Sequence, residues 1–552
     1  LQNVYIEDQT NDTLAFIKLV EIQLDKYSSK EIILNKISLY NPVFKLKLLS
    51  NGRLNLQFLL DALSDTSKIE DTSNVKYKVN KLIINKGVFS YKNELYQSKI
   101  SNVIDFDNLK ISKIKLNIDS VVYIKDSINF KIKDVSFIEQ SGFKLNSLSC
   151  NGYFCPSGIY LNNLNIIADK SIIRANKLNL KINNLSDFNH FEEKVKWDVN
   201  FLPSKLHSDD LAYFTNVLKP LNRKIYFAGI VKGTLSSLRF RDFKIRHNLK
   251  TYIEGNYNLD GLTNSSYPYL LLKFKVLNTN YTDFENLVIS EGNQIKKITI
   301  PEELSKLGNI LYKGELSGFI NDFVVFGNLK TSLGNIKADA NVKYDTLSNK
   351  TKINGSISLN DFFLGAIVNN KNLFGKVSLE TTSKIEFKEN KINGIAKALI
   401  KSIDFNNYTY KNIYIDGNFT EKLFDGNIQL NDPNVSLDFI GKIDYSANMP
   451  VFNFMADVKH ARLNKINFIH PDSNITVSFM LDSKLTGTNL DNIAGNIDIY
   501  QLHFKHNNIS YNIPQMLFST NSVNGNKTIN FSSDIFNVSF YGYFKFNELF
   551  YY

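Results

Sequence analysis

Phe44, Leu46 and Leu48 are separated by Lys45 and Lys47, and the same strict alternation recurs along the whole chain. Ile114, Leu116 and Ile118 interleave with Lys115 and Asn117, and Leu178, Leu180 and Ile182 with Asn179 and Lys181. Farther on, Leu270, Leu272, Phe274 and Val276 alternate around Lys273 and Lys275. Val435, Leu437 and Phe439 alternate around Ser436 and Asp438, and Phe452, Phe454, Ala456 and Val458 around Asn453 and Asp457. A period of two puts successive side chains on opposite faces of a strand, one dry and one wet. Roughly ten short strands are predicted between Lys76 and Ile182, one of them Val88 to Tyr91 after a turn at Asn85, Lys86 and Gly87. At ~10 to 13 residues per strand and turn, the chain holds about 40 strands.

The period changes in three places. Leu54 to Leu63, after Asn51-Gly52, carries a short helical pattern. Ser208 has the chemistry of an N-cap and Asp209 and Asp210 suit the positive end of a helix dipole. Leu211, Phe214, Val217 and Leu218 follow at helical spacing up to Pro220, so a helix is expected over 208–219. Pro301 suits a first helical position and opens another short helix over 301–307. Residues 61–75 are polar and aperiodic, and are expected to form a mobile loop between a β region over 1–60 and an elongated, repetitive β region over 76–552.

Ten Pro and 26 Gly are few for 552 residues, and no linker-like stretch divides the chain. A single compact core stops growing near ~300 residues, so the organisation reads as quasi-one-dimensional. The net charge of +11 comes almost wholly from Lys set singly at polar positions. Only Arg53, Arg174, Arg223, Arg239, Arg241, Arg246 and Arg462 carry the guanidinium that phosphate and base readout favour. The charge therefore reads as a solvated outer face that guards strand edges, not as a nucleic-acid footprint, with a weaker attraction to anionic membranes. Arg239, Arg241 and Arg246 read as a solvated strand edge, with a lipid headgroup or acidic partner as the alternative.

No P-loop, dinucleotide fingerprint, nucleophile elbow or HExxH sequence is present, so no enzymatic activity is expected. His503 and His506, three residues apart on a strand, face opposite ways, and neither a metal nor another cofactor is expected. An acid pair across neighbouring strands stays open. Trp197 reads as a core or groove residue. Cys150 and Cys155 flank Asn151-Gly152, a turn that either brings the thiols together across a hairpin or leaves both free. The chain begins at Leu1 and ends in the aromatic stretch Phe544 to Tyr552. With no apolar run of ~18 residues, it is expected to be a segment of a longer protein that does not itself span a bilayer.

The opening stretch VYIEDQTNDTLAFIKLVEIQLD and the following KEIILNKISLYNPVFKLKLLSNGRLNLQFLLDAL resemble the N-terminal region of the AsmA-like superfamily, and within it the TamB-type translocation and assembly proteins of Bacteroidota. Asn41-Pro42 and the Gly52 to Asn55 segment are the closest matches. IYFAGIVKGTLSSLRFRDFKIRH followed by YIEGNYNLDGL is similar to the family's recurring strand, turn and strand unit. YKGELSGFINDFVVFGNLKTSLGNIKADANV and YKNIYIDGNFTEKLFDGNIQLNDPNVSLDFIGKIDYS are similar to later repeats. The family's N-terminal transmembrane helix and C-terminal domain are missing. Asp12-Thr13-Leu14, Asp119-Ser120-Val121, Asp126-Ser127-Ile128 and Asp345-Thr346-Leu347 look like the O-glycosylation acceptor pattern of periplasmic Bacteroidota proteins.

The resemblance implies a mainly β fold: a long continuous β-taco, an open sheet curled lengthwise around an apolar groove, with a few short helices. It implies a periplasmic protein, anchored in the inner membrane through a segment absent here, that reaches toward an outer-membrane barrel protein of the BamA/TamA class. Its cargo would be phospholipids; assembly of outer-membrane proteins is the alternative role, and a structural cell-surface β-solenoid the alternative architecture. The groove would be lined by Phe44, Leu46, Leu48, Ile114, Leu116, Ile118, Leu178, Leu180 and Ile182. Farther along it would be lined by Leu270, Leu272, Phe274, Val435, Leu437, Phe439, Phe452 and Phe454.

Overall fold

Among the described residues strands make up 73% and helices 6%. The computed structural model describes all residues except 65–74, 97–102, 215–222, 248–249, 264–266, 285–287, 292–293, 298–301, 346–347, 389–390, 472, 490–491, 524–525 and 545–552. It divides into two units, Leu1–Ile300 and Pro301–Tyr552.

In the first unit Gln2–Glu7 pairs antiparallel with Thr13–Tyr27, which pairs with Glu31–Leu48. Lys76–Val79 and Leu82–Asn93 then add in parallel to Glu31–Leu48. From Asn108–Ile124 to Tyr269–Asn280 the chain is an antiparallel meander, each strand bonded to the next. The second unit is a meander throughout, from Asn309–Phe319 to Asn537–Gly542. Antiparallel neighbours need only a tight turn between them. Asn406-Asn407 and Lys125-Asp126 supply such turns, each pair holding two consecutive positive φ values, as a type I′ hairpin requires.

Thirty-two strands are described, fewer than the 40 or so expected from the repeat spacing, because single strands run on through bulges. Glu31–Leu48 alone covers 18 residues. Asn85, Lys86 and Gly87 are likewise not a turn: Lys86 has φ +55 and the register shifts between Ile84 and Gly87, a bulge inside Leu82–Asn93. Asn151-Gly152 is not a turn either. Both cysteines lie on the one strand Lys144–Cys155, Cys150 opposite Ile132 and Cys155 opposite Gly158, and both thiols are free. The run at Leu270 is also interrupted. Phe274 lies opposite Gly255 but Val276 opposite Glu254, so a bulge turns Val276 to the polar face and Leu277 takes its place.

The helices are shorter than the sequence suggests. The first is Gln57–Ser64, inside and just past the expected span. The second is only Ser208–Leu211, and its N-cap is His207, whose Nδ1 accepts from the Asp209 backbone N–H at 3.2 Å. The third is a 3-10 helix, Glu302–Leu307. Val217, Leu218, Pro220, Pro301, Thr346, Leu347, most of the 61–75 segment and the end of the Phe544 to Tyr552 stretch lie outside the described residues.

Curvature in the second unit has a readable cause. On its apolar face Ala340, Gly355, Ser383, Ala396, Gly417, Gly426 and Gly441 face one another across successive strands, a row of small residues between rows of large ones. Without side-chain bulk the flanking rows lean together over this row, and Ala340 and Ser383 are only 5% and 3% exposed. Gly441 has φ +139, and a Cβ there would sit 2.4 Å from the Phe454 Cα on the adjoining strand. Such glycine kinks are how a sheet is made to curl.

Asp444 ends the strand Val435–Asp444 and holds the turn after it. Its carboxylate accepts from the Ser446 hydroxyl, from Lys442 at 2.9 Å and from the Ser446 backbone N–H at 2.8 Å. These bonds lower its pKa from 3.8 to about 2. A carboxylate depressed in this way adds stability that is fully present above its ordinary pKa and is lost as pH falls toward the depressed one. Denaturant midpoints measured between pH 5 and pH 2 are expected to drop through that window, and Asp444→Asn is expected to remove this part of the drop.

Candidate functional site

Cross-strand register joins the alternating runs into continuous rows. In the second unit Tyr312, Leu329, Ile336, Leu359, Leu379 and Ile400 stand opposite one another in turn. The row continues through Ile413, Leu430, Leu437, Val458 and Phe479 without a polar residue. In the first unit Leu34, Val79, Val121 and Phe130 lead to Gly152, and then to Leu161, Leu178, Val199, Val231, Phe240, Tyr257 and Leu272. Gly152 leaves no gap, since a Cβ there would meet the Phe130 ring at 2.0 Å, so that ring covers it.

The residues expected from the alternation fall on this face. Phe44 and Leu46 stand beside Phe89 and Tyr91, with Leu48 next to Asn93 at the strand's end. Ile114, Leu116 and Ile118 oppose Gly87, Ile84 and Leu82. Leu180 opposes Ile159 and Trp197, and Ile182 is buried just past the strand's end. Leu270 opposes Leu259, and Phe274 opposes Gly255. Val435 meets Ala461, Phe439 meets Ala456, Phe454 meets Gly441, and Phe452 meets Ile443 and Leu485. Many rungs escaped the sequence reading, among them Ile336, Leu379, Ile413, Val121, Val231 and Phe240. Finding them requires knowing where bulges reset the register. The available signal is a polar residue at positive φ, such as Lys113, Asn163 or Asp242, which looks like any other polar strand residue in the sequence.

The face is open. Of the expected lining residues only Ile182 and Val435, each 7% exposed, are buried; the others are half-buried. A parallel β-helix instead closes its apolar side chains into a core, and these meanders are antiparallel.

Aromatic rings run along the face. Phe201, Phe227, Phe243 and Phe240 follow one another at centroid separations of 5.2, 6.1 and 4.9 Å, and Tyr257 and Phe274 are 5.6 Å apart. Burial, with Glu254 and Tyr252 nearby, pushes the Tyr257 phenol up to about 12. Trp197 lies on the same face, edge-on to Phe191 at 6.1 Å. The opposite face is polar, with cross-strand ion pairs such as Lys343–Asp322 at 2.9 Å, Lys397–Asp416 at 2.9 Å and Lys459–Asp438 at 2.6 Å. Asp438 and Asp457 face each other there as an acid pair, with Asp438 held by Lys459. Arg239 binds Asp260 at 2.8 Å and Arg241 binds Asn258 at 2.8 Å. Their strand, Ser237–His247, is flanked on both sides, so it is interior and not the expected edge.

Among the described residues no cluster of His, Cys, Asp and Glu could hold a metal ion, and no helix is long and apolar enough to cross a membrane. These features define the class: a mainly β protein in each of whose two units the strands present an open apolar face and a lysine-rich polar one. No family model matches the chain, and no curated protein or solved structure matches it either.

Proposed function

We propose that the chain is a non-enzymatic lipid conduit, in which phospholipid acyl chains lie along the apolar face while headgroups stay in water. The observation that carries this reading is the apolar row of each unit, unbroken by a charged side chain across successive strands, with most of its residues half-buried and the rest buried. Exposing a sixteen-carbon chain to water costs on the order of 13 kcal/mol at ~0.8 kcal/mol per methylene, so movement between membranes needs a dry surface without long gaps. A row without a charged side chain also offers no strong site where a lipid would stop.

The sequence resemblance supports the setting: the periplasm of a Gram-negative cell, with attachment to the inner membrane through a segment outside this sequence. The partner on the other side would be an outer-membrane barrel protein of the BamA/TamA class, and the outcome outer-membrane biogenesis. The test is mass spectrometry of organic extracts of the purified protein. Several phospholipids per molecule are expected. A protein that purifies folded and lipid-free, and stays so after incubation with phosphatidylethanolamine vesicles, would overturn the proposal.

A further inference from the structure

On the polar face of the first unit, five successive strand pairings shift register at one level. The shifts fall between Ile172 and Ala175, Phe201 and Ser204, Ala228 and Ile230, Phe240 and Phe243, and Glu254 and Gly255. A bulge bends its strand and re-aims the side chains beside it. Side by side, these leave a hollow of about 530 Å³, the size of a small-molecule site.

Four cations line it from three strands: Arg174, Lys205, Lys244 and Arg246. No carboxylate lines it. Arg174 donates its Nε to the neutral amide of Asn165 at 3.3 Å. Glu254, opposite Lys244, is already held by Lys275 at 2.8 Å and by the Tyr252 hydroxyl at 2.6 Å. Arg239 on the same strand shows the contrast, being neutralised by Asp260. The Arg246 guanidinium lies 5.9 Å from the centre of the Tyr252 ring, which braces it on one side. Ile172, Pro203 and Ala228 supply apolar wall.

We propose that this hollow binds a phosphate ester of headgroup size, its phosphate held by the cations and its organic part against Tyr226 and the apolar wall. Guanidinium and ammonium groups together favour phosphate oxygens, and a cation cluster without carboxylates leaves that potential unspent. The site lies on the face opposite the apolar row and stands independently of the conduit reading. A membrane lipid and a soluble molecule both carry such an ester, and the same chemistry serves both.

Binding of the purified full chain is measured with two probes: glycerol 3-phosphate, and phosphatidylcholine vesicles with and without phosphatidylglycerol. Lys205→Gln/Arg246→Gln is expected to weaken binding at least ten-fold. Lys115→Gln/Lys131→Gln, the same charge change elsewhere on the polar face, is expected to change it less than two-fold. Arg246→Lys, which keeps the charge but loses the planar fork, should fall between, and unchanged melting of all three variants excludes unfolding as the cause. Binding of glycerol 3-phosphate assigns a soluble ester; binding only to the phosphatidylglycerol vesicles assigns a membrane lipid. Failure of both probes to bind, or an equal loss in the Lys115/Lys131 variant, overturns the proposal.

Discussion

Leu437→Glu is expected to lower the phospholipid recovered with the purified protein at least ten-fold while leaving it folded. Leu437 stands within the apolar row, between Leu430 and Val458. A carboxylate there faces the acyl chains, and its desolvation costs several kcal/mol wherever a lipid covers it. Because Leu437 is only half-buried, the new side chain can reach water when no lipid is present, and the fold loses mainly a few apolar contacts, about 2 to 3 kcal/mol. Leu437→Gln gives a second, uncharged interruption of the row should the charged one fold poorly. Asp438→Lys, one residue on and on the polar face, breaks an exposed ion pair with Lys459, and exposed pairs contribute little, so lipid content should be unchanged. Equal losses from Leu437→Glu and Asp438→Lys, in proteins that both remain folded, would mean the apolar face is not where lipid sits.

Gly441→Ala should destabilise the second unit by about 3 kcal/mol, a large effect for a single methyl group. Two strains combine. The backbone at φ +139 disfavours any side chain, and the added Cβ would lie 2.4 Å from both the Asn453 carbonyl oxygen and the Phe454 Cα. Backbone on the adjoining strand cannot swing aside as a side chain would. Gly542→Ala is the control: its φ is +147, but nothing lies within 4 Å of the new Cβ, so only the conformational strain remains, about 1 kcal/mol. Denaturant unfolding followed by circular dichroism measures both. Equal effects at the two glycines would show that close packing at the small-residue row contributes nothing to the curl.

The strand class was legible because alternation is local: Lys45 and Lys47 declare the wet face of Phe44 and Leu46 without reference to any other part of the chain. The short helices were legible as interruptions, but not their ends. Ser208 looks like a cap in sequence, yet His207 performs that role because its ring nitrogen reaches the Asp209 N–H once the preceding strand has placed it. The two turns read at Asn85 to Gly87 and Asn151-Gly152 failed for one reason. Asn and Gly are common in hairpin turns, but they also sit inside strands: at the first it is Lys86 that takes positive φ, in a bulge, and at the second neither residue does, Gly152 leaving room for the Phe130 ring.

The order of apolar and polar residues along the chain is enough to establish that the fold is built from strands with one dry and one wet face. Which of those residues meet depends on strand pairing. A bulge of one residue resets every pairing beyond it, so the row that takes Leu34 to Leu272 in the first unit, and the one that takes Tyr312 to Phe479 in the second, exist only through the register of neighbouring strands. The same is true of the small-residue row at Gly441 and of the cationic hollow around Arg246. Each is assembled from several strands that lie far apart in the chain, and hydrogen bonding between strands is what brings them side by side.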